Sequence, residues 1–181
     1  GPALWLAFGA PVAVDVPALE NLSKGHFKNV QRVDAQGGTV LRLTGADAVY
    51  PRIAREKDAW VITLGKVRIA PSQSIGLDAR DLALLARLPG ETDVLQAIDP
   101  EMGDRLLIAP VQQAGLGHSG ERQLAAAIVL ASTQGLAAVA LSDGLSLRAG
   151  GDQVAVASPA AAQPSKETIF DFAAWRRPEL G

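Results

Sequence analysis

The 181-residue sequence contains no cysteine, which excludes disulfides, thiolate zinc sites and cysteine nucleophiles and is compatible with either the cytoplasm or a bacterial periplasm. Aromatic residues are scarce at 4%, although hydrophobic residues make up 48%. Alanine, valine and leucine must therefore fill the core, with Trp5, Trp60 and Trp175 expected as its few large pieces. The two histidines, His26 and His118, are far apart and form no recognisable ligand pair, so no metal is expected. No run approaches the ~18 consecutive apolar residues of a membrane-spanning helix, and no secretory signal pattern is present. Gly1-Pro2 has the form of a protease-cleavage remnant, which leaves an upstream targeting segment as an expectation.

Strong charge of either sign is also missing. The net charge of −2 gives no whole-chain reason to expect nucleic acid as a partner. The sign is nonetheless uneven, with nine Lys/Arg against six Asp/Glu in residues 1–70 and eight against thirteen beyond. Such an asymmetry orients a partner weakly or simply marks solvated faces.

What is present is short apolar alternation punctuated by turn residues, the pattern of half-buried antiparallel strands. Leu4, Leu6 and Phe8 share one face. Val12, Val14 and Val16 alternate likewise before Pro17 ends the run. Val30 and Val33 lead through Asp34-Ala35-Gln36-Gly37-Gly38 into Thr39–Leu43, which predicts a hairpin. A second hairpin is predicted from Arg52-Ile53-Ala54 through Glu56-Lys57-Asp58 to Trp60–Leu64, with Trp60, Ile62 and Leu64 on one face. Leu136–Leu141, Leu145–Leu147 and Val154–Val156, joined at Asp143-Gly144 and Gly150-Gly151-Asp152, predict a three-stranded meander. A short internal echo relates Ile53, Asp58, Trp60 and Ile62 to Leu147, Asp152, Val154 and Val156, so two related β halves are an option.

Residues 78–88 and 121–132 fit helix or strand. Ser158–Lys166 is rich in Pro, Ala, Gln and Ser and reads as a linker. Beyond it, Ser165 can cap a short helix running to Trp175, with Arg176 and Arg177 at its negative end and Pro178 stopping it. The organisation expected is a first β half over 3–70, a second over 71–158, a linker over 159–166 and a helix over 167–177.

Gly115-Leu116-Gly117-His118-Ser119-Gly120 matches G-x-G-x-x-G, in which glycines let a pyrophosphate approach main-chain amides at a helix N-terminus. Leu106-Leu107-Ile108 precedes it, an alanine-rich segment follows, and Asp143 lies downstream. Gly115, Gly117, Gly120 and Asp143 are therefore the candidate cofactor-binding set of an alternative, nucleotide-dependent enzyme. Pro110 and Val111–Ala114 part the strand from the first glycine, and the flanks resemble hairpins more than βαβ units, which favours a flexible surface loop and no cofactor. Ser119 misses the nucleophile elbow, because Gly120 follows it directly. Asp99, Glu101 and Asp104 cluster carboxylates without the EF-hand spacing and read as an acidic capped turn. Arg52, Arg55 and Lys57 beside Trp60 are a candidate patch for a glycan or partner, whereas alternation puts Trp60 inward.

The stretches 4–8 with Pro11, 39–43, 52–64, 99–110 and 133–136, together with Ile169–Arg177, resemble the N-terminal β region of large alphaproteobacterial tetratricopeptide-repeat proteins of the cell envelope. The N-terminal strand pattern is more distantly similar to AMIN-type β modules. The resemblance implies a periplasmic, non-catalytic binding or scaffolding role, contact with envelope proteins or peptidoglycan, strands for 82–88 and 122–130, and a helical-repeat domain after the short helix. It transfers no catalytic residue. The fold expected is mainly β, antiparallel and sandwich-like or built of paired sheets, with a short C-terminal helix.

Overall fold

A strand with alternating apolar residues has one face to hide, and a strand apolar throughout has two. The chain contains both kinds, and it meets both demands by stacking sheets. The computed structural model describes residues 3–22, 25–45, 49–80, 83–89, 93–150 and 153–157. In chain order these form β1 (Ala3–Phe8), α1 (Val16–Leu22), β2 (Asn29–Val33), β3 (Ala35–Gln36), β4 (Thr39–Thr44), β5 (Tyr50–Glu56), β6 (Ala59–Gly65), β7 (Gln73–Ser74), β8 (Leu77–Arg80) and β9 (Ala83–Arg87). There follow β10 (Leu95–Ile98), β11 (Arg105–Ala109), β12 (Leu116–Gly117), β13 (Arg122–Gln123), β14 (Ala127–Leu130), β15 (Leu136–Ala140), β16 (Ser146–Gly150) and β17 (Gln153–Ala157). The protein is mainly β and antiparallel, apart from the short parallel pair of β7 with β12.

The central element is a six-stranded sheet in the order β13-β14-β15-β11-β10-β3. Leu106, Leu107, Ile108 and Ala109 of β11 are buried in succession, so this sheet is covered on both faces. On one side Leu107, Ala109, Val129 and Leu136 meet Ala86, Leu147, Val154 and Val156 of a four-stranded sheet ordered β16-β17-β9-β8. On the other, Leu95, Ala97, Leu106 and Ile108 meet Val33 and Val40 of a three-stranded sheet ordered β1-β4-β2. The outer face of that sheet, with Leu41, Leu43 and Val30, is covered by Val14, Val16 and Leu19. The β5–β6 hairpin stands beside this stack as its own two-stranded sheet.

Both predicted hairpins form. β2 pairs with β4 in register Val33↔Val40, with Gly37 of the intervening turn at φ 91°. β5 pairs with β6 in register Ile53↔Ile62 around Lys57-Asp58. The echoed residues hold equivalent rungs, because Leu147 faces Val156 as Ile53 faces Ile62. Within the two stretches that fit helix or strand, residues 83–87, 122–123 and 127–130 are strands, and β8 at 77–80 pairs with the first of them. β3, from residues 3–70, pairs with β10, from residues 71–158.

Three expectations need correction. Val12–Val16 does not continue as a strand, because Asp15 Oδ1 accepts the Ala18 N–H at 2.9 Å and caps α1. Pro17 then sits in the first helical turn, where its missing N–H costs nothing. The meander is only half formed: β16 pairs with β17, but β15 pairs with β11 and β14, so Asp143-Gly144 carries the chain from one sheet to the next. Of the described tryptophans, Trp5 packs on the edge of the core against the Val33–Val40 cluster and Trp60 joins none of the buried clusters. The largest fully buried side chains are aliphatic, led by Leu41, Leu43, Leu88, Leu95 and Leu107, while Trp5 and Trp60 are half-buried. Trp175, the linker over 159–166 and the helix over 167–177 lie outside the described residues.

One ionic clasp joins two layers. Arg42 of β4 points at the six-stranded sheet, where its Nε lies 3.2 Å from Asp99 Oδ1 and its Nη2 donates to Glu101 Oε2. Its guanidinium also lies 5.7 Å from the Trp5 ring centroid. The acidic turn is shaped for this, since Asp99 Oδ1 accepts the Glu101 N–H at 2.8 Å and the Asp99 carbonyl accepts the Gly103 N–H at 2.8 Å. The Asp99 side chain is 12% exposed and that of Glu101 55%, so Asp99 carries the costlier half of the pair.

Arg42→Ala is expected to lower unfolding free energy by about 3 kcal/mol, because it leaves a buried carboxylate without its cation. Glu101→Ala is expected to cost less than about 1 kcal/mol. The Arg42→Met, Asp99→Asn double variant should recover part of the loss, and urea denaturation of the four proteins measures all three outcomes.

Candidate functional site

The three-stranded sheet covers only part of the six-stranded face beneath it. Register places Leu106, Ile108, Ala137, Val139 and Leu130 on that common face. Above Leu130, Ala137 and Val139, which are only partly buried, a groove of about 1100 Å³ opens. These three residues form its floor. The groove is lined by β1 along its whole length, Ala3–Phe8, and by Pro51, Ile53, Trp60 and Ile62 of the β5–β6 hairpin. Thr133 Oγ1 donates to the Pro51 carbonyl at 3.2 Å and ties the hairpin to the loop before β15.

The groove collects the scarce aromatics. Trp5, Phe8, Phe27, Tyr50 and Trp60 are all the aromatic side chains of the described residues, and every one lines it. Its charged lining is acidic, with Asp93, Asp104 and Glu121 exposed beside a single exposed cation, Arg68; Asp99 is already held by Arg42.

The sequence-predicted residues fall elsewhere or apart. Opposing residues of a hairpin share a face, so Arg55, opposite Trp60, lies on the groove-facing side, whereas Arg52, opposite Thr63, lies on the reverse. Arg55 sits over the Trp60 ring at 5.5 Å, and Lys57 occupies the turn at φ 54°. The three cations therefore make no single patch, and Trp60 faces the groove.

The glycine motif is built into short strands and does not lead into a helix. Leu116-Gly117 is the short strand β12, and Gly120 is followed by β13 and β14 with no helix, so the helix N-terminus that would receive a pyrophosphate is missing. Gly115 N–H donates to Gln134 Oε1 at 3.0 Å, the Gly115 carbonyl accepts the Gln73 N–H at 3.0 Å, and His118 and Ser132 exchange main-chain bonds of 3.1 and 2.8 Å. A Cβ on Gly117 would stand 2.4 Å from the Ser132 carbonyl oxygen, and one on Gly115, at φ +76°, would meet Ser72 Oγ at 2.1 Å. Gly117 thus admits neighbouring main chain and Gly115 the Ser72 side chain, whereas Gly120 has open space. Asp143 lies past the opposite end of β15, where the Ser142 and Asp143 carbonyls accept bonds from Arg105.

His118 lies at one end of the groove. Burial holds its imidazole below the usual pKa, a main-chain hydrogen bond with Ile75 opposes this, and the Arg122 charge reinforces it. Its Nδ1 is buried without a hydrogen-bond partner. Among the described residues no group of three or more His, Asp or Glu is arranged to hold a metal ion, and no helix is long and apolar enough to cross a membrane. No family model matches the chain, and neither a curated protein nor a solved structure does.

Gly117→Ala is expected to lower the thermal midpoint by several degrees through its main-chain clash, whereas Gly120→Ala, with nothing within 4 Å of its Cβ, should leave it unchanged. Calorimetry of both variants decides. The depressed His118 pKa makes the unfolded chain the better proton acceptor below the ordinary histidine value of 6.5, so this residue's contribution to stability is present above that pH and lost as pH falls through the folded value. Wild type should therefore lose more stability than His118→Gln between about pH 7.5 and pH 5.5 in urea melts.

Proposed function

We propose that the chain is a non-catalytic binding or scaffolding module of the bacterial periplasm that contacts an envelope protein or peptidoglycan. The observation that supports this reading is the placement of the aromatics. The largest fully buried side chains are aliphatic, while all five described aromatic residues border one groove, Trp5 also packing on the core beneath the three-stranded sheet and Phe8 and Phe27 on that sheet's outer face. Aromatic rings supply large contact area at low entropic cost and are the residues most enriched at binding surfaces. The apolar floor and acidic rim favour an envelope protein over a glycan as the contacting partner. The periplasmic setting comes from the resemblance to the β region of envelope tetratricopeptide-repeat proteins.

The test has two arms, retention of solubilised envelope proteins by the immobilised chain and co-sedimentation of the chain with purified peptidoglycan. We expect retention of envelope protein, reduced about tenfold by Trp60→Ala or Leu130→Glu with circular dichroism unchanged. Co-sedimentation with peptidoglycan that ignores both substitutions would move the contact away from the groove. Failure of both arms, or recovery of the native protein in the cytoplasmic fraction of its cell, would overturn the reading.

A further inference from the structure

Side chains alternate across a strand, so a groove lying on the face of β1 would touch every second residue. This groove instead touches Ala3, Leu4, Trp5, Leu6, Ala7 and Phe8 without a gap. It therefore runs along the strand's edge. β1 ends its sheet, bonded to β4 alone, so alternate main-chain N–H and C=O groups of β1 face the groove among the described residues.

The same geometry shows what is missing from the stack. The six-stranded sheet is covered on this side by only three strands, and Leu130, Ala137 and Val139 of its face are only partly buried and line the groove together with β1. A fourth strand added at β1 would lie over those residues and under the apolar face of the β5–β6 hairpin. An acyl chain would fill the apolar floor but leave the β1 amides without partners, at a cost that a peptide main chain removes. The ends of the groove supply the charge. Asp93 lies beside Gly9 at one end of β1. Asp104 closes the β10–β11 turn whose Asp99 and Glu101 hold Arg42, the register partner of Trp5 nearer the other end.

We propose that the groove binds an extended segment of a partner protein as an added strand on the β1 edge, six or seven residues long, alternately apolar in its middle and carrying Lys or Arg at its ends. Six residues at ~3.3 Å each match the length of β1. The inference rests on the binding-module reading and specifies its mode.

The probe is the peptide Lys-Val-Thr-Val-Thr-Val-Lys, followed through the fluorescence of the full chain, in which Trp5 and Trp60 line the groove. Two versions carry N-methyl groups on alternate amides, one set on the odd residues and one on the even. Strand addition uses one set only, so one version should bind about tenfold more weakly than the other. A peptide with Glu at both ends should bind more weakly than the Lys-ended one, and the Asp93→Lys, Asp104→Lys double variant should reverse that order. Amides of β1 should gain hydrogen-exchange protection on binding. Equal binding of both methylated versions overturns strand addition, as does no saturable binding of the parent peptide up to about 1 mM. It is likewise overturned if palmitate, a peptide of residues 167–177 or a second copy of the chain occupies the groove in preference to the probe. Retention of an envelope protein through the groove alongside any of these results leaves the module reading standing and removes only its mode.

Discussion

A β-sheet with two apolar faces has to be covered twice, and the architecture follows from that requirement. β11 reads Arg-Leu-Leu-Ile-Ala, with four of its five residues buried in succession, so the sheet it belongs to cannot have a wet side. The four-stranded sheet supplies one cover and the three-stranded sheet the other. The second cover has an apolar outer face of its own, which is why Val14, Val16 and Leu19 of the α1 segment fold back onto Leu41 and Leu43. Each layer thus creates the demand that the next one meets, until the last element, a capped helix with exposed polar residues, ends the series.

Apolar stacking is non-directional and does not by itself fix where one sheet sits on another. Arg42 provides direction. It emerges from β4, a strand buried nearly throughout, and finds Asp99, Glu101 and the Trp5 ring in one place. A buried guanidinium is tolerated only where its partners stand, so the clasp fixes the three-stranded sheet against the β10–β11 turn. By fixing that sheet it also fixes how far the edge of β1 stands from the hairpin opposite.

The hairpins were legible because their information is local: the turn residues of 34–38 and 57–58 lie between the strands they join. The sheet order was not, since Asp143-Gly144 reads alike whether the flanking strands pair or part, and only the apolar faces of β15 and β16 choose different sheets. α1 was hidden by the two-residue spacing of Val12, Val14 and Val16, although Asp15 followed by Pro17 is a helix-start signal. Alanines at 125–127 favour helix locally, yet Ile128 and Val139 are partners across β14 and β15, and tertiary pairing prevailed. The glycine motif was ambiguous for a related reason, since close main-chain approach calls for glycine whether the approaching group is a phosphate or the Ser132 carbonyl. The groove had one signal in the sequence, the scarcity of aromatics, and reading Trp60 as core obscured it.

The sequence of β1 argues that its edge is kept open for use. Free sheet edges invite unwanted pairing and are commonly blunted by charge, proline or a bulge. The β5–β6 hairpin follows that rule, with Arg52, Arg55 and Glu56 on its ladder and Lys57 in its turn. β1, Ala-Leu-Trp-Leu-Ala-Phe, carries none of these devices. Its protection is positional: the hairpin stands across the groove, and acidic side chains guard both ends, so a second uncharged strand finds neither free access nor a matching charge. An edge sheltered in this way is closed to indiscriminate association and open to a segment of the right length and sign.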